Sequence, residues 1–593
     1  MARTLTVNDV LNLDTFEDHH GSCFSFSPDG SRLVFAVQRS MAEGVRYGRP
    51  FLAGNDRGEL LLADVKTGEV RSLVNKIKQG VGAFAPAWSP DGTSIAVAMV
   101  DAHAVRLELI DSTSGRRSLL SPHNLALPGG VRPYEWLDAE RLVCALLPGN
   151  AVPLALDVET RGAARAMQEW PKAWAGHEPT ASVLDSPPGE ALELRQRPLD
   201  PDPTLVVIDA RSGALHPLPT AGITPHVHEF RKRFDPDLTV QSRAQRSDIQ
   251  QPDWISSLPL PDECRIVGWH GPTRRVAVLT EDDRGSRITI LSEQAGSGVD
   301  LFETNTHLRD VRAGTTRDLP YRDRQGRPLT GRLLLPPDYT ENEARPAVVW
   351  VYPGAVPGPT TQRFVRINYA SPFNLQLLAA RGFVVIEPSL PLPVSSDSLD
   401  LLPMLAESVV PAVEAAVASG VVDRHRVHVM GHSMGGWAAM GLLATTRIFR
   451  SGISLAGIAN LISCHGASDP RLRYDVRTAR ELIMPEMCER AWHLAGPPWQ
   501  DFERYRRNSP LFLAERIQAP LLLVQGDQDY VPITQGEEMF QALRRLGKAV
   551  RFVRYWGEGH VLASPANIAD LWCRILGWLD QDGREKHSCA SSP

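Results

Sequence analysis

In the first half of the chain, apolar and polar residues alternate in short runs that end in turn residues, and the runs repeat. SFSPDGSRLVFAV at 25–37 returns as AWSPDGTSIAVAM at 87–99, and YEWLDAERLVCAL at 134–146 is a degenerate third copy. A Pro-Asp-Gly turn between two alternating runs predicts two strands joined at that turn. A second phrase recurs between these copies. LLLADVKTGEV carries Asp64, RLELIDSTSGRR carries Asp111, LALDVETRG carries Asp157 and LVVIDARSG carries Asp209, at spacings of 47, 46 and 52 residues. Each predicts a strand, a turn running from Asp to a nearby Gly, and another strand. A period of roughly 40–50 residues built of short strands predicts a β-propeller with one four-stranded blade per repeat. Residues 16–312 have room for about six or seven blades at that period. A pair of irregular β-sandwiches would not keep so even a spacing.

Near residue 312 the pattern changes. RPAVVWVY (345–352), FVVIEP (383–388), RVHVM (426–430), GISLA (452–456), PLLLVQG (520–526) and VRFVRYW (550–556) are short runs, mostly apolar on both faces. Such runs suit strands of a buried, mostly parallel sheet. Helical periodicity separates most of them: NLQLLAARG (374–382), MLAESVVPAVEAAVASG (404–420), WAAMGLLATT (437–446) and TQGEEMFQALRRLG (534–547). Alternating strands and helices predict a doubly wound α/β domain over 313–581, closed by a helix within 567–581. Residues 1–15 are left as an N-terminal segment expected to pack on that domain, and the small polar tail 582–593 reads as disordered.

Composition narrows the classes. The 593 residues exceed one domain, and 43% apolar with 22% charged residues is a globular balance. A net charge of −6 offers no basic field for nucleic acid. No apolar run approaches the ~20 residues of a membrane span, and the start MARTLTVNDVLNLDTF has no signal-peptide pattern. The seven cysteines are scattered and never form a CxxC pair, which suits reduced thiols in the cytoplasm. His226 and His228 form an HxH beside Glu229 with no further ligands near, so a strand or loop is the expectation there rather than a metal site. Arg231, Lys232 and Arg233 read as a solvated face. HExxH, P-loop and dinucleotide fingerprints are absent, so no metal or organic cofactor is expected.

One stretch carries chemistry. VHVMGHSMGGWAAM at 427–440 ends a strand, places Ser433 between Gly431 and Gly435, and opens a helix. That is the context of a nucleophile elbow, where a strained turn lifts the serine hydroxyl out of the sheet. A serine needs a base and the base an orienting acid, in the chain order Ser, Asp, His for this fold. QGDQDYVP (525–532) puts Asp527 and Asp529 just past a buried strand, and YWGEGH (555–560) puts His560 past the last one. Spacing alone leaves both aspartates open. The Met434 N–H is one candidate oxyanion donor. Tyr352, in VYPGA (351–355), is either a second donor or a core tyrosine before a turn.

These residues resemble the prolyl oligopeptidase family of serine peptidases over nearly the whole chain. SPDG repeats precede VYPG, GHSMGG, SPLFLAERIQAPLLLVQGDQDYVP and GEGH in the family's order. The resemblance implies a propeller followed by an α/β-hydrolase domain, with Ser433 as nucleophile, His560 as base and Tyr352 in the oxyanion hole. The family acid lies in a pattern like G-x-x-D-x-x-V-P. Gly526 and Asp529 keep its first spacing, favouring Asp529, although the loop to Val531 and Pro532 is one residue shorter. Met434 stands where relatives usually carry Tyr, and Ala355 where they often carry a second Gly or a Pro. The Glu-Glu pair by which dipeptidyl peptidases of the family hold a free amine is absent from 16–312. The implied activity is that of an oligopeptidase or acylaminoacyl-peptidase-like enzyme acting on short or unstructured peptides, with the propeller restricting access. An esterase or thioesterase shares the acyl-enzyme route. A peptidase tailoring modified or leader peptides is a further reading. A non-catalytic scaffold would have lost part of the triad.

Overall fold

The computed structural model describes residues 2–43, 54–74, 81–101, 104–127, 129–156, 167–168, 170–176, 202–218, 225–234, 251–293, 295–392, 400–472 and 483–580. The chain forms two compact units. One comprises residues 12–175 and 196–309, the other 1–11, 176–195 and 310–593.

The first unit is a β-propeller. Its four-stranded antiparallel blades are β2 (Phe24–Phe26), β3 (Arg32–Gln38), β4 (Gly58–Asp64) and β5 (Val70–Val74); β6 (Gly82–Trp88), β7 (Ser94–Val100), β8 (Val105–Asp111) and β9 (Arg117–Leu119); β10 (Tyr134–Trp136), β11 (Arg141–Leu146), β12 (Thr204–Asp209) and β13 (Leu215–Pro217); and β14 (Cys264–His270), β15 (Arg275–Asp282), β16 (Gly285–Ser292) and β17 (Ala295–Thr304). The repeated phrases fall where the alternation put them. SPDG joins the first two strands of a blade: Ser27 Oγ donates to Asp29 (2.6 Å) and Ser89 Oγ to Asp91 (2.6 Å). The Asp-to-Gly phrase joins the last two. Asp64, Asp111 and Asp209 each accept the backbone N–H groups two and three residues on. Middle strands such as β3 are buried on both faces because blades stack face to face. One core joins Phe35 and Leu60 of the first blade to Ile95 of the second and Ile288 of the fourth, and another joins Leu107 of the second to Leu142 and Ile208 of the third.

Four blades lie among the described residues, against the six or seven expected from the period. The difference arises at the third blade. Asp157 lies outside the described residues, but 154–156 before it are helical rather than a strand. The strand that completes the hairpin with β11 is β12, which begins only at Thr204. The HxH segment also departs from the strand or loop expected, since Pro225–Lys232 is a helix. Phe230 of that helix packs in a small core with Val143 and Val207, which explains the helix: its apolar positions face the third blade. Lys232 pairs with Glu229 and Arg233 with Glu135. Among the described residues, no cluster of metal-ligating side chains occurs.

The second unit is an α/β-hydrolase domain. Its eight strands are β19 (Thr315–Arg322), β20 (Pro328–Leu335), β21 (Arg345–Trp350), β22 (Val384–Glu387), β23 (Val422–His432), β24 (Gly452–Leu455), β25 (Leu521–Gly526) and β26 (Val550–Tyr555). They lie in the order β19-β20-β22-β21-β23-β24-β25-β26. From β22 onward neighbours are parallel; β20 pairs antiparallel with both β19 and β22. The parallel strands are apolar on both faces because helices cover both. Leu401–Ala418 is long and apolar enough to cross a membrane by length and composition, a property the run-by-run reading missed. Here its Leu402, Val409, Ala412 and Ala416 are buried in the sheet's core. The N-terminal residues belong to this unit. β1 (Arg3–Thr4) pairs in parallel with β18 (Val311–Arg312), Asp9 binds Arg3 through both oxygens (2.7 and 2.8 Å), and the helix Val7–Leu11 packs on the last helix, Pro565–Asp580.

Candidate active site

β23 runs in the middle of the sheet and ends at His432; the helix Met434–Thr445 begins after one intervening residue. Ser433 occupies the corner at φ 59°, ψ −120°. A non-glycine residue there costs of order 1–3 kcal/mol, a strain that persists only where the surroundings enforce it. They do so by close packing. A Cβ on Gly431 would sit 2.3 Å from the Gly435 carbonyl oxygen, and one on Gly435 would sit 2.2 Å from that of Val351. The Ser433 N–H donates to the Leu455 carbonyl (2.8 Å), and the hydroxyl does not cap the helix it precedes. The side chain therefore stands at the carboxyl edge of the sheet, beside a helix N-terminus that favours negative charge.

The next two contributors come from the ends of β25 and β26. His560 Nδ1 lies 2.9 and 3.0 Å from the two oxygens of Asp529, the contact of a ring N–H with a carboxylate. Asp529 is fully buried and also accepts the Val531 N–H (2.8 Å). Asp527 has a different task. It accepts the Gly557 N–H (2.7 Å) and so ties together the loops that follow the two strands. The structure thus brings His560 to Asp529 and not to Asp527. The His560 ring is flanked by Tyr530, with ring centres 4.4 Å apart, and by His432, at 4.6 Å.

Sequence reasoning missed Glu558, two residues before His560. It is buried, accepts the N–H groups of Ala563 (2.8 Å) and Ser564 (3.0 Å), and accepts a bond from Asn567 (2.7 Å). A carboxylate that holds the N–H groups of Ala563 and Ser564, just before the last helix, and the side chain of Asn567 in its first turn closes the His560 loop onto that helix. The signal available was a glutamate two residues before the candidate base and seven before a helix, in the otherwise small-residue run GEGH.

Tyr352 follows β21. It is 41% exposed, so it is not a core tyrosine, and its ring lies against the elbow: a Cβ on Gly435 would be 3.5 Å from Tyr352 Cδ2. Met434 provides the first N–H of the elbow helix, and its side chain lines an apolar cleft with Pro353, Leu390, Leu392, Leu405 and Trp437. The carboxyl ends of these strands therefore carry a strained serine, an imidazole held by a buried carboxylate, and a tyrosine ring against the elbow. These are groups of the kinds that acyl transfer uses.

Residues 405–584 match the prolyl oligopeptidase family. Over 180 residues the chain is 29% identical to the uncharacterized peptidase YuxL of Bacillus subtilis (strain 168), a stretch that is 30% of this chain and 25% of that protein. The chain spans about a quarter of the length of the first curated relatives it matches. The lasso peptide isopeptidase AtxE2 of Asticcacaulis excentricus is 22% identical over 308 residues, 49% of this chain and 41% of that one. Its apo structure superposes with a TM-score of 0.60 at 16% identity, covering 100% of this chain and 97% of the other. An acylaminoacyl peptidase of Pyrococcus horikoshii gives 0.58 at 14% identity, covering 99% and 98%. At such identities the superpositions establish a shared fold. The matched segment spans the elbow and both downstream loops, so this part of the chain is similar to the serine peptidases of the prolyl oligopeptidase family.

Proposed function

We propose that this protein hydrolyses amide bonds in short or unstructured peptides through an acyl-enzyme on Ser433. Ser433 Oγ attacks the carbonyl carbon while its proton passes to His560 Nε2. Asp529 holds the opposite ring N–H and stabilises the imidazolium. The tetrahedral oxyanion takes donors from the Met434 N–H and the Tyr352 hydroxyl. Collapse breaks the C–N bond as His560 returns the proton to the leaving amine, and water then repeats the sequence to release the acid. The observation that carries this reading is the paired contact of His560 Nδ1 with Asp529 beside the strained Ser433. The cleft beside Met434 favours an apolar side chain next to the cleaved bond. The propeller, in this reading, limits substrates by size, and cysteines that form no disulfide among the described residues suit a cytoplasmic setting.

A second reading, a peptidase that tailors a modified peptide, is favoured by the fold-level likeness to a lasso peptide isopeptidase along the full chain. The test is a digest of a peptide library read by mass spectrometry, with the same cleavable sequence also offered as a loop of a stable folded domain and as a simple ester. The proposal expects cleavage of the free peptide at apolar residues and strong discrimination against the folded loop. Turnover of the ester alone would replace it with an esterase, and equal rates on free and folded substrates would remove the size filter.

A further inference from the structure

His560 sits in a loop, and a loop can place an imidazole only if its backbone is held as well as its ring. Asp529 fixes the ring through Nδ1. The backbone is held elsewhere. His432 Nε2 lies 2.7 Å from the His560 carbonyl oxygen. A carbonyl can only accept, so His432 carries its proton on Nε2 and donates it. The two imidazole rings also lie 4.6 Å apart between centres at a tilt of 51°, and Phe373 lies 4.4 Å from the His432 ring. Phe373, His432, His560 and Tyr530 thus form a column of four rings with the candidate base inside it. His432 is the residue immediately before Ser433 on β23, so one hydrogen bond refers the base to the same strand end that carries the nucleophile.

We propose that His432 is a positioning residue, whose Nε2–H clamps the His560 backbone and whose ring backs the His560 ring, setting where the base meets Ser433. The inference rests on the reading of Ser433 and His560 as nucleophile and base. It requires a neutral His432, because a protonated ring would place a second positive charge against the imidazolium formed in catalysis. Desolvation by the surrounding rings, followed by the neighbouring His560, pushes the His432 pKa down to about 3. Nothing in a Gly-x-Ser-x-Gly pentapeptide assigns this position a role, since the x before the serine is free in the motif.

The test compares His432→Phe, which keeps a ring and loses the donor, with His432→Gln, which keeps a donor and loses the ring. The Phe variant should lose about 10²-fold in kcat with KM changed little, the size of effect that ångström-scale misplacement of a catalytic group produces. Its rate of labelling by a fluorophosphonate should fall in parallel, and the Gln variant should recover most of both. Wild-type kcat and labelling rate in the Phe variant would overturn the proposal, as would a Gln variant no better than Phe. Should the Phe variant fail to fold, ¹⁵N-histidine NMR of the wild-type protein decides: the Nε2–H tautomer at His432 is required, and the Nδ1–H tautomer refutes the clamp. Failure of the wild-type protein to label at Ser433 would instead refute the underlying assignment of nucleophile and base, and the tautomer would still report on the clamp itself.

Discussion

In the propeller, Asp64, Asp111 and Asp209 each bind backbone N–H groups two and three residues away; in the hydrolase, Asp529 binds a ring 31 residues away. The propeller carboxylates lie at the surface, and their pKa values are lowered, first of all by those backbone hydrogen bonds. Asp529 is buried, with an imidazole and one N–H as its partners. The same side chain therefore does two kinds of work. A local carboxylate shapes one turn, and its loss is absorbed locally. A buried long-range carboxylate fixes a geometry that nothing nearby can replace. The contrast predicts that substitutions of aspartate will divide by the reach of their contacts rather than by their place in a motif.

The largest effect should come from the group on which all the others converge. Ser433→Ala should lower kcat on the order of 10⁶-fold, leaving substrate binding nearly unchanged, as steady-state kinetics can establish. Asp529→Asn should cost roughly 10⁴-fold, because an amide presents His560 with the wrong partner and tautomer. Asp527→Asn, two residues earlier in the same loop, should cost less than about tenfold in the same assay, since its carboxylate serves the Gly557 backbone. A reversed ranking of the two would break the comparison. Tyr352→Phe removes one oxyanion donor and should lower kcat about 10²- to 10³-fold with little change in KM.

Smaller effects bear on stability. Glu387, at the end of β22, is buried beside Arg332, and burial outweighs the arginine to push its carboxyl up to about 7. Below about 4.5 it is protonated in both folded and unfolded chains. As pH rises from there towards 7 the unfolded chain releases the proton first, so the hydrolase unit should lose up to about 3 kcal/mol across that window and level off above it. Thermal melts of Glu387→Gln should lack this decline. Asp29 shows the opposite sign. Ser27 and Ser31 hold its carboxyl down to about 2, so its contribution is complete above about 3.8 and is lost as pH falls through 2. Asp29→Ala should destabilise the propeller by only about 1 kcal/mol, the net worth of an exposed turn's hydrogen bonds.

What could be read from the sequence follows the same division. The turns of the first, second and third blades were visible because each closes on its own neighbours, and the parallel strands were visible because burial on both faces leaves no polar alternation. β19 and β20 were not anticipated. The first four residues of β19 are exposed and Pro320 interrupts it, while β20 is buried only from Gly331 to Leu335, so neither shows a full strand pattern. LALDVETRG copies the local phrase, but Leu154–Leu156 at its start are helical, a choice the phrase alone does not reveal. In the site, Ser433, Asp529 and His560 stood out through motif and order. Glu558 and the contact of His432 with His560 did not, because their partners become neighbours only when β23, β26 and the last helix pack in one fold.

The most direct measurement of the central claim is intact-protein and peptide mass spectrometry after fluorophosphonate treatment. One adduct on Ser433 is expected in the wild-type protein and in Asp527→Asn. Labelling should be strongly slowed in Asp529→Asn and absent in Ser433→Ala. An adduct that persists in Ser433→Ala, or equal labelling of the two aspartate variants, would contradict the account.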